Sequence, residues 1–586
     1  MRSRKESAAV IVTRCLCCLE VIVLLLASQA ASGEKVPLAQ HVILIIEENT
    51  SFSTVVGPPA TMPWLVGEGN LYGYAANYYS DASGSLLDYL WLASGSSESN
   101  FGCNGNFCSS AITDNNIFRL MNNEPLAWKV YALNYLNAGG TVTTPDNARG
   151  THYYRRHNGA TWYSDVLNNT LGSQGETVDF EQFLVDVSNG TLPRYSIIVP
   201  DGNYDAHDGS LAAADNFLKN NLAAILGQSD FQAGGSGLII VTFDNGNNDS
   251  QGRVYTALIG PNVKSGKVST VYYQHQSTLR TTLDALGIHV YPGASGGVSD
   301  LSDFIKANAG SVVINSPANK SVQGIAVPVS AVASELGSQI DHMEIWDNGK
   351  KIAAVFSSTV HETLTLGAGS HHMVIEDIGR GPNYTVLHKH ATDFTVSLSN
   401  GVILTTPANN STQALLFPVN AYAVEAGGNV DHLEVWADGK KLGNSPKGTT
   451  LSQWCKALTA GSHQLSVQDV SNSGTVLHKK TIGVTVSSSN NIYVNSPAKN
   501  SNQGTSVLVN AYAYEQSGSK QQVDHLEVWD NGKKLGNSPL GYGVTSLFLN
   551  QRYTLGSGSH SMTIQDIGPG PGYSVLHKST INFIVP

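Results

Sequence analysis

Residues 41–52 read HVILIIEENTSF. Five apolar residues, Val42 to Ile46, run without interruption into Glu47, Glu48 and Asn49. An unbroken apolar run of this length reads as a strand buried on both faces, as in a parallel sheet. Two further runs share that form, SIIV at 196–199 and LIIVTF at 238–243. Between them lie helix-like stretches such as LAAADNFLKNNLAAIL at 211–226. Strands alternating with helices predict an α/β domain whose mostly parallel sheet lies between helices.

The residues that follow these strands carry the chemistry. In open α/β sheets, ligands bind beyond the carboxyl ends of the strands. VILII ends in Glu47, Glu48 and Asn49, and SIIV runs into PDGNYDAHDGS, which holds Asp201, Asp205, His207 and Asp208. LIIVTF ends in Asp244 and Asn245, and His275 opens a helical stretch in YYQHQSTLRTTLDALG. Carboxylates and imidazoles converging from separate strand tips suit a hard-to-borderline divalent cation. Each motif alone is unspecific, since a stretch rich in Asp, Gly and Asn is first of all a turn.

The chain of 586 residues is too long for one domain. Its net charge is −11 and no long basic run occurs, which argues against nucleic acid as a partner. Residues 1–32 have the form of an export signal: Arg2, Arg4 and Lys5, then the short apolar core VIVLLLA at 21–27, then small residues. The apolar run is too short to span a bilayer. A secreted or periplasmic location follows as an expectation, and in such a compartment Cys103 and Cys108, five residues apart in FGCNGNFCS, could close a small disulfide loop. Cys455 has no evident partner.

Comparing the chain with itself changes the reading of its second half. NSPANKSVQG (315–324), TTPANNSTQA (405–414) and NSPAKNSNQG (495–504) each open a repeat. DHMEIWDNGKK (341–351), DHLEVWADGKK (431–441) and DHLEVWDNGKK (524–534) follow, and each repeat then shows GSH and VLHK. A repeat of about 90 residues has the size of an immunoglobulin-like sandwich. Alternation in HLEVW and an Asn-Gly or Asp-Gly turn predict hairpins. The expected units are 33–305 for the α/β domain and 311–398, 401–488 and 491–586 for the repeats. Trp346, Trp436 and Trp529 fall opposite the core-facing residues and read as packing or edge cover rather than sugar platforms. The histidines of GSH (His371, His463, His560) and VLHK (His388, His478, His577) read as repeated polar strand positions rather than metal ligands.

The N-terminal domain resembles the phosphoesterase family that contains bacterial phospholipases C and acid phosphatases, within the alkaline-phosphatase-like superfamily. The resemblance rests on HVILIIEENTSF, GSLLDYLWLASGS (84–96), YYRRHNGATWYSD (153–165), PRYSIIVPDGNYDAHDGSLAAADNFL (193–218), LIIVTFDNGNND (238–249), VYTALIGPNVKSG and YYQHQSTLRTTLDALG. These stretches occur in the family's order and cover nearly all of 41–287.

The resemblance implies an alkaline-phosphatase-like domain and a secreted, metal-dependent phosphatase or phospholipase C-like activity. It implies Ser85 as nucleophile and Glu48, Asn49, Asp244 and Asn245 as metal ligands. Asp205, His207 and His275 would hold a second metal or the phosphate, and Arg156 and His157 would face phosphate oxygens or the leaving group. The cofactor implied is a divalent ion, Zn²⁺, Mn²⁺, Ca²⁺ or Mg²⁺, and the partner a phosphate ester. The repeats would reach a cell-surface glycan or a membrane. Two departures, Asp88 in Ser85-Leu-Leu-Asp88-Tyr89 and Asn245 after Asp244, motivate the alternative of a surface- or glycan-binding protein with an inactive domain.

Overall fold

The computed structural model describes residues 35–585, apart from 125, 168–174, 247–248, 250–251, 398–399, 426–429, 456–457, 490 and several short stretches of the last repeat between 498 and 572. The expected export signal at 1–32 lies outside the described residues.

An eight-stranded sheet organises the N-terminal domain. Its strand order is 175–179, 128–132, 195–199, 42–47, 238–243, 256–259, 73–75, 267–269. The first five strands run parallel, and Thr256–Ile259 turns antiparallel beside Leu238–Phe243. Val42–Glu47 is buried along its whole length, as are Tyr195–Val199 and Leu238–Phe243. Helices on both faces explain why these strands are uniformly apolar rather than alternating. Register fixes what happens at their tips. Ile45 pairs with both Ile198 and Val241, and Glu47 with Phe243. The three loops that follow therefore leave the sheet at one level.

Two helices bear on those loops. Leu211–Leu226 begins where the Ser210 side chain accepts from Ala213 N–H, a common N-terminal cap. Ser85–Ser94 opens directly on Ser85 and ends at Gly95, whose φ of +64° lies in the left-handed region. A side chain at 95 would also meet the Pro292 carbonyl, so glycine is required there. Cys103 and Cys108 form a disulfide, and Cys455 is a buried free thiol.

The second half is all β. Residues 310–396 and 401–487 each form a three-stranded and a five-stranded sheet, and the described part of 491–585 forms sheets of three and four strands. Each DNGKK or ADGKK segment is a two-residue hairpin with both turn residues at positive φ: Asn348 and Gly349, Asp438 and Gly439, Asn531 and Gly532. Ile345, Leu433, Val435 and Val528 are fully buried. Trp346, Trp436 and Trp529 lie on the other face, half-buried, each indole N–H donating to the Glu two residues earlier at 2.9–3.1 Å.

The repeats fold back onto the α/β domain. Arg194 donates to Asn315 (2.9 Å) and Asp230 lies 3.4 Å from His390, tying the first repeat to the amino ends of the central strands. The helix Glu181–Asn189 packs against strands of the second and third repeats. Its Gln182 donates to Ser452 (2.9 Å) and its Val185 enters the second repeat's core. Val523, Leu526, Leu547 and Leu549 of the third repeat belong to the same apolar cluster as the α/β core. Among the described residues, no helix is long and apolar enough to cross a membrane.

Candidate active site

Glu48 sits at the centre of the strand tips, fully buried. Its Oε2 accepts from Ser85 Oγ at 2.9 Å and from Asn49 Nδ2 at 3.0 Å, and its Oε1 accepts from Tyr89 O–H at 2.9 Å. Asn49 takes φ of +46°, which turns its backbone N–H onto Asp244 Oδ1 at 2.7 Å. Asparagine tolerates that left-handed conformation better than most residues. Asn245 braces the same acid, its amide and backbone N–H donating to the two Asp244 oxygens. Glu48, Asn49, Ser85, Asp244 and Asn245 are thus brought into one cluster.

His157 joins it from the loop after Tyr154. Its Nδ1 lies 3.1 Å from Asp205 Oδ2 and its Nε2 3.3 Å from Glu48 Oε1. The ring stacks on Tyr89, with centroids 5.7 Å apart. His207 stands beside it, its backbone N–H on Asp205 and its Nδ1 2.7 Å from Asp208. Ligand atoms of Glu48, His157 and His207 all lie within 4.8 Å of one another.

Electrostatics shows what this cluster suits. Burial, and then Asp244 and Asp205, push the Glu48 carboxyl well above its ordinary range. Burial does the same to Asp205 and to Glu47, whose two side-chain oxygens have no hydrogen-bond partner. Burial, with Arg156 nearby, pushes His157 down to about 3, so the ring is neutral. With its Nδ1 proton on Asp205, the Nε2 lone pair faces a carboxylate oxygen and finds no donor. Buried acids crowded this way around an unpaired imidazole nitrogen fit a divalent cation.

Two expected members are placed differently. Arg156 pairs with Asp146 and lies over the Tyr154 ring at 4.2 Å, so its charge is already matched beside the cluster. His275 is buried one step away: Nε2 meets the Phe243 carbonyl at 3.1 Å, and Nδ1 lies 3.6 Å from both Asp81 and Asp88. Asp88 itself accepts from the backbone N–H groups of Asp81 and Ala82 at 3.0 and 2.9 Å. Its role is to hold the turn that precedes Ser85. Sequence reading missed Tyr89, Asp81 and Asp146, all of which lie within quoted or adjacent motifs. Their partners are 41, 194 and 10 residues away.

Residues 60–288 match the model of the Phosphoesterase family. That span includes Ser85, His157, Asp205, His207, Asp244 and His275, and begins after Glu48 and Asn49. A probable acid phosphatase of Kluyveromyces lactis is 27% identical over 245 residues, 40% of this chain and 55% of that protein. An acid phosphatase of Aspergillus fumigatus is 26% identical over 225 residues, 37% of this chain and 48% of that protein. The chain thus spans about half the length of these two relatives. A phosphatidylinositol-3-phosphatase of Mycobacterium tuberculosis is 25% identical over 260 residues, 44% of this chain and 80% of that protein. Among solved structures, a Vibrio parahaemolyticus protein of the alkaline phosphatase superfamily aligns with a TM-score of 0.34 at 10% identity, covering 57% of this chain and 84% of that one.

Proposed function

We propose that the chain is a metal-dependent phosphoric ester hydrolase in which Ser85 is the nucleophile. The observation that carries this reading is the 2.9 Å hydrogen bond from Ser85 Oγ to Glu48, at the first turn of a helix and inside a ring of buried acids. The family match and the phosphatase relatives support the same reaction class.

Glu48, Asn49, Asp244, His157 and His207 are the residues that would hold a divalent cation. When bound, such an ion neutralises phosphoryl oxygens and makes a serine hydroxyl acidic enough to attack. The chain's own residues do the rest. The Glu48 hydrogen bond fixes the Ser85 hydroxyl, and the helix N-terminus favours the anion that approaches it. Asp205 sets the tautomer and angle of His157. Attack by Ser85 Oγ on phosphorus forms a phosphoseryl ester and releases the substrate alcohol. Water then attacks the phosphoseryl phosphorus, releasing phosphate and restoring the hydroxyl.

Ser85→Ala removes the attacking atom and Glu48→Gln weakens the cluster's charge. Both should cut hydrolysis of a chromogenic phosphate monoester by at least about 10³-fold, with an unchanged circular dichroism spectrum. Activity within a few fold of wild type in Ser85→Ala would end the nucleophile assignment. Substrate class is read by comparing a soluble monoester with a phospholipid in vesicles. The acid-phosphatase relatives favour faster turnover of the monoester. The alternative of an inactive binding protein predicts no turnover of either ester after titration with Zn²⁺, Mn²⁺, Ca²⁺ and Mg²⁺.

A further inference from the structure

Two clusters in the repeats have the make-up of a ligand site and lie far from the N-terminal acids in sequence. In the first repeat, Glu335 closes the strand Ala326–Glu335 of the three-stranded sheet. Asp377 and His388 face each other on paired strands of the five-stranded sheet. Ligand atoms of the three residues lie within 4.8 Å of one another. The second repeat brings Glu425, Asp469 and His478 within the same 4.8 Å, but there His478 Nδ1 lies 3.1 Å from Asp469 Oδ2 and satisfies it.

A simple tie between sheets accounts for part of this. His388 Nδ1 lies 2.5 Å from Glu335, and the His388 backbone N–H donates to Asp377 Oδ1. It leaves one atom unexplained. Asp377 is fully buried, and its Oδ2 has no hydrogen-bond partner. A buried carboxylate oxygen is rarely left so, because its desolvation is then uncompensated. Among the described ion pairs, His388 matches Glu335 and none matches Asp377. Two acids therefore face one another across a single imidazole.

Burial, and then Glu335, raise Asp377 to about 7. A proton or a cation between the carboxylates relieves the repulsion. Gly310 admits the Glu335 carboxylate, which lies 2.2 Å from where a Cβ at 310 would be.

The geometry points to a divalent-cation site in the first repeat, formed by Glu335, Asp377 and His388. Two carboxylates and an imidazole select a borderline ion, Zn²⁺ before Ca²⁺ or Mg²⁺, with water in the remaining position. The site sits at the start of its repeat, since Glu335 lies against Gly310, the first residue of that repeat's first strand. A bound ion would fasten this joint.

The test uses the full chain, stripped of metal and dialysed against Zn²⁺ alone, with bound zinc counted by mass spectrometry. Asp377→Asn and Asp469→Asn each keep an acceptor for the backbone N–H. Asp377→Asn should lose one equivalent and Asp469→Asn none, with ester hydrolysis unchanged. An Asp377→Asn chain that binds as much zinc as wild type overturns the proposal. Should that variant fail to fold, the count is made with native repeats in Glu48→Gln/Asp244→Asn, which disables the N-terminal cluster. At least one equivalent must remain there, and none refutes the site.

Discussion

His157 reaches Glu48 only because Asp205 holds its other nitrogen, 48 residues away in sequence. Replacing Asp205 with Asn removes a charged acceptor and frees the tautomer. Supporting partners of this kind are worth about 10–100-fold in activity or metal affinity. Asp205→Asn should therefore lower kcat/KM by that factor, and part of the loss should return with excess metal. A change below twofold would show that the contact is only structural. At this scale the sequence displayed the acids and imidazoles but not their pairing. Glu48, Asn49 and Asp244 were legible because each follows directly on a buried strand, whose register sets its position. Arg156 and Asp88 were not, since the partners that decide their roles, Asp146 and the 81–82 backbone, lie in irregular loops. Such loops have no hydrophobic period to read.

The repeats carry a ladder on each hairpin in which Glu434 accepts from Lys441, Trp436 and Gln468. Burial works to raise the Glu434 carboxyl, but the Lys441, Trp436 and Gln468 hydrogen bonds hold it at about 2. Glu527 is likewise held at about 2, burial opposed by hydrogen bonds from Lys534, Gln565 and Trp529. The folded value is thus depressed below the unfolded one of about 4.3. The stabilisation is complete above that unfolded value and disappears as pH falls towards 2. Thermal melts of the full chain from pH 5 to 2 should show this decline, and Glu434→Gln with Glu527→Gln should flatten it. The turns beneath the ladders make a second prediction. Gly439 has φ of +81° and open space around it. Gly439→Ala should therefore cost only the conformational penalty of about 1–2 kcal/mol, read by denaturant unfolding. Elements were the most legible level. The helix at 211–226 and the strands that run into Glu48 and Asp244 stand where their apolar runs placed them. The hairpins follow from Asn-Gly and Asp-Gly turns that favour positive φ at both positions.

Across the whole molecule, the packing of the repeats against the helix Glu181–Asn189 was invisible beforehand. A helix face that meets a neighbouring unit has the same apolar pattern as one that meets its own core. Val185→Asp would place a charge inside the second repeat's core, where the side chain is now buried. It should lower the thermal midpoint and bring on proteolysis at the joints, while Lys219→Ala, exposed on the helix Leu211–Leu226, does neither. The contact also reaches the loop that bears Asp205 and His207. Tyr204, between Asp201 and Asp205, packs onto the cluster that contains Val523 and Leu526, and burial, then Asp201, then Asp524 of the third repeat raise its hydroxyl. Truncation after residue 488 should therefore raise KM for the ester more than it lowers kcat, because the loop bearing Asp205 and His207 loses its backing. Equal KM in the truncated chain would show that the loop stands unaided. Synthesis gives the same contact a temporal meaning. Gln182 and Val185 emerge from the ribosome some 270 residues before the strand that covers them. Contacts this distant in sequence form slowly. The first domain to be made is thus among the last to be finished, and its unfinished flank is the surface a chaperone would have to guard.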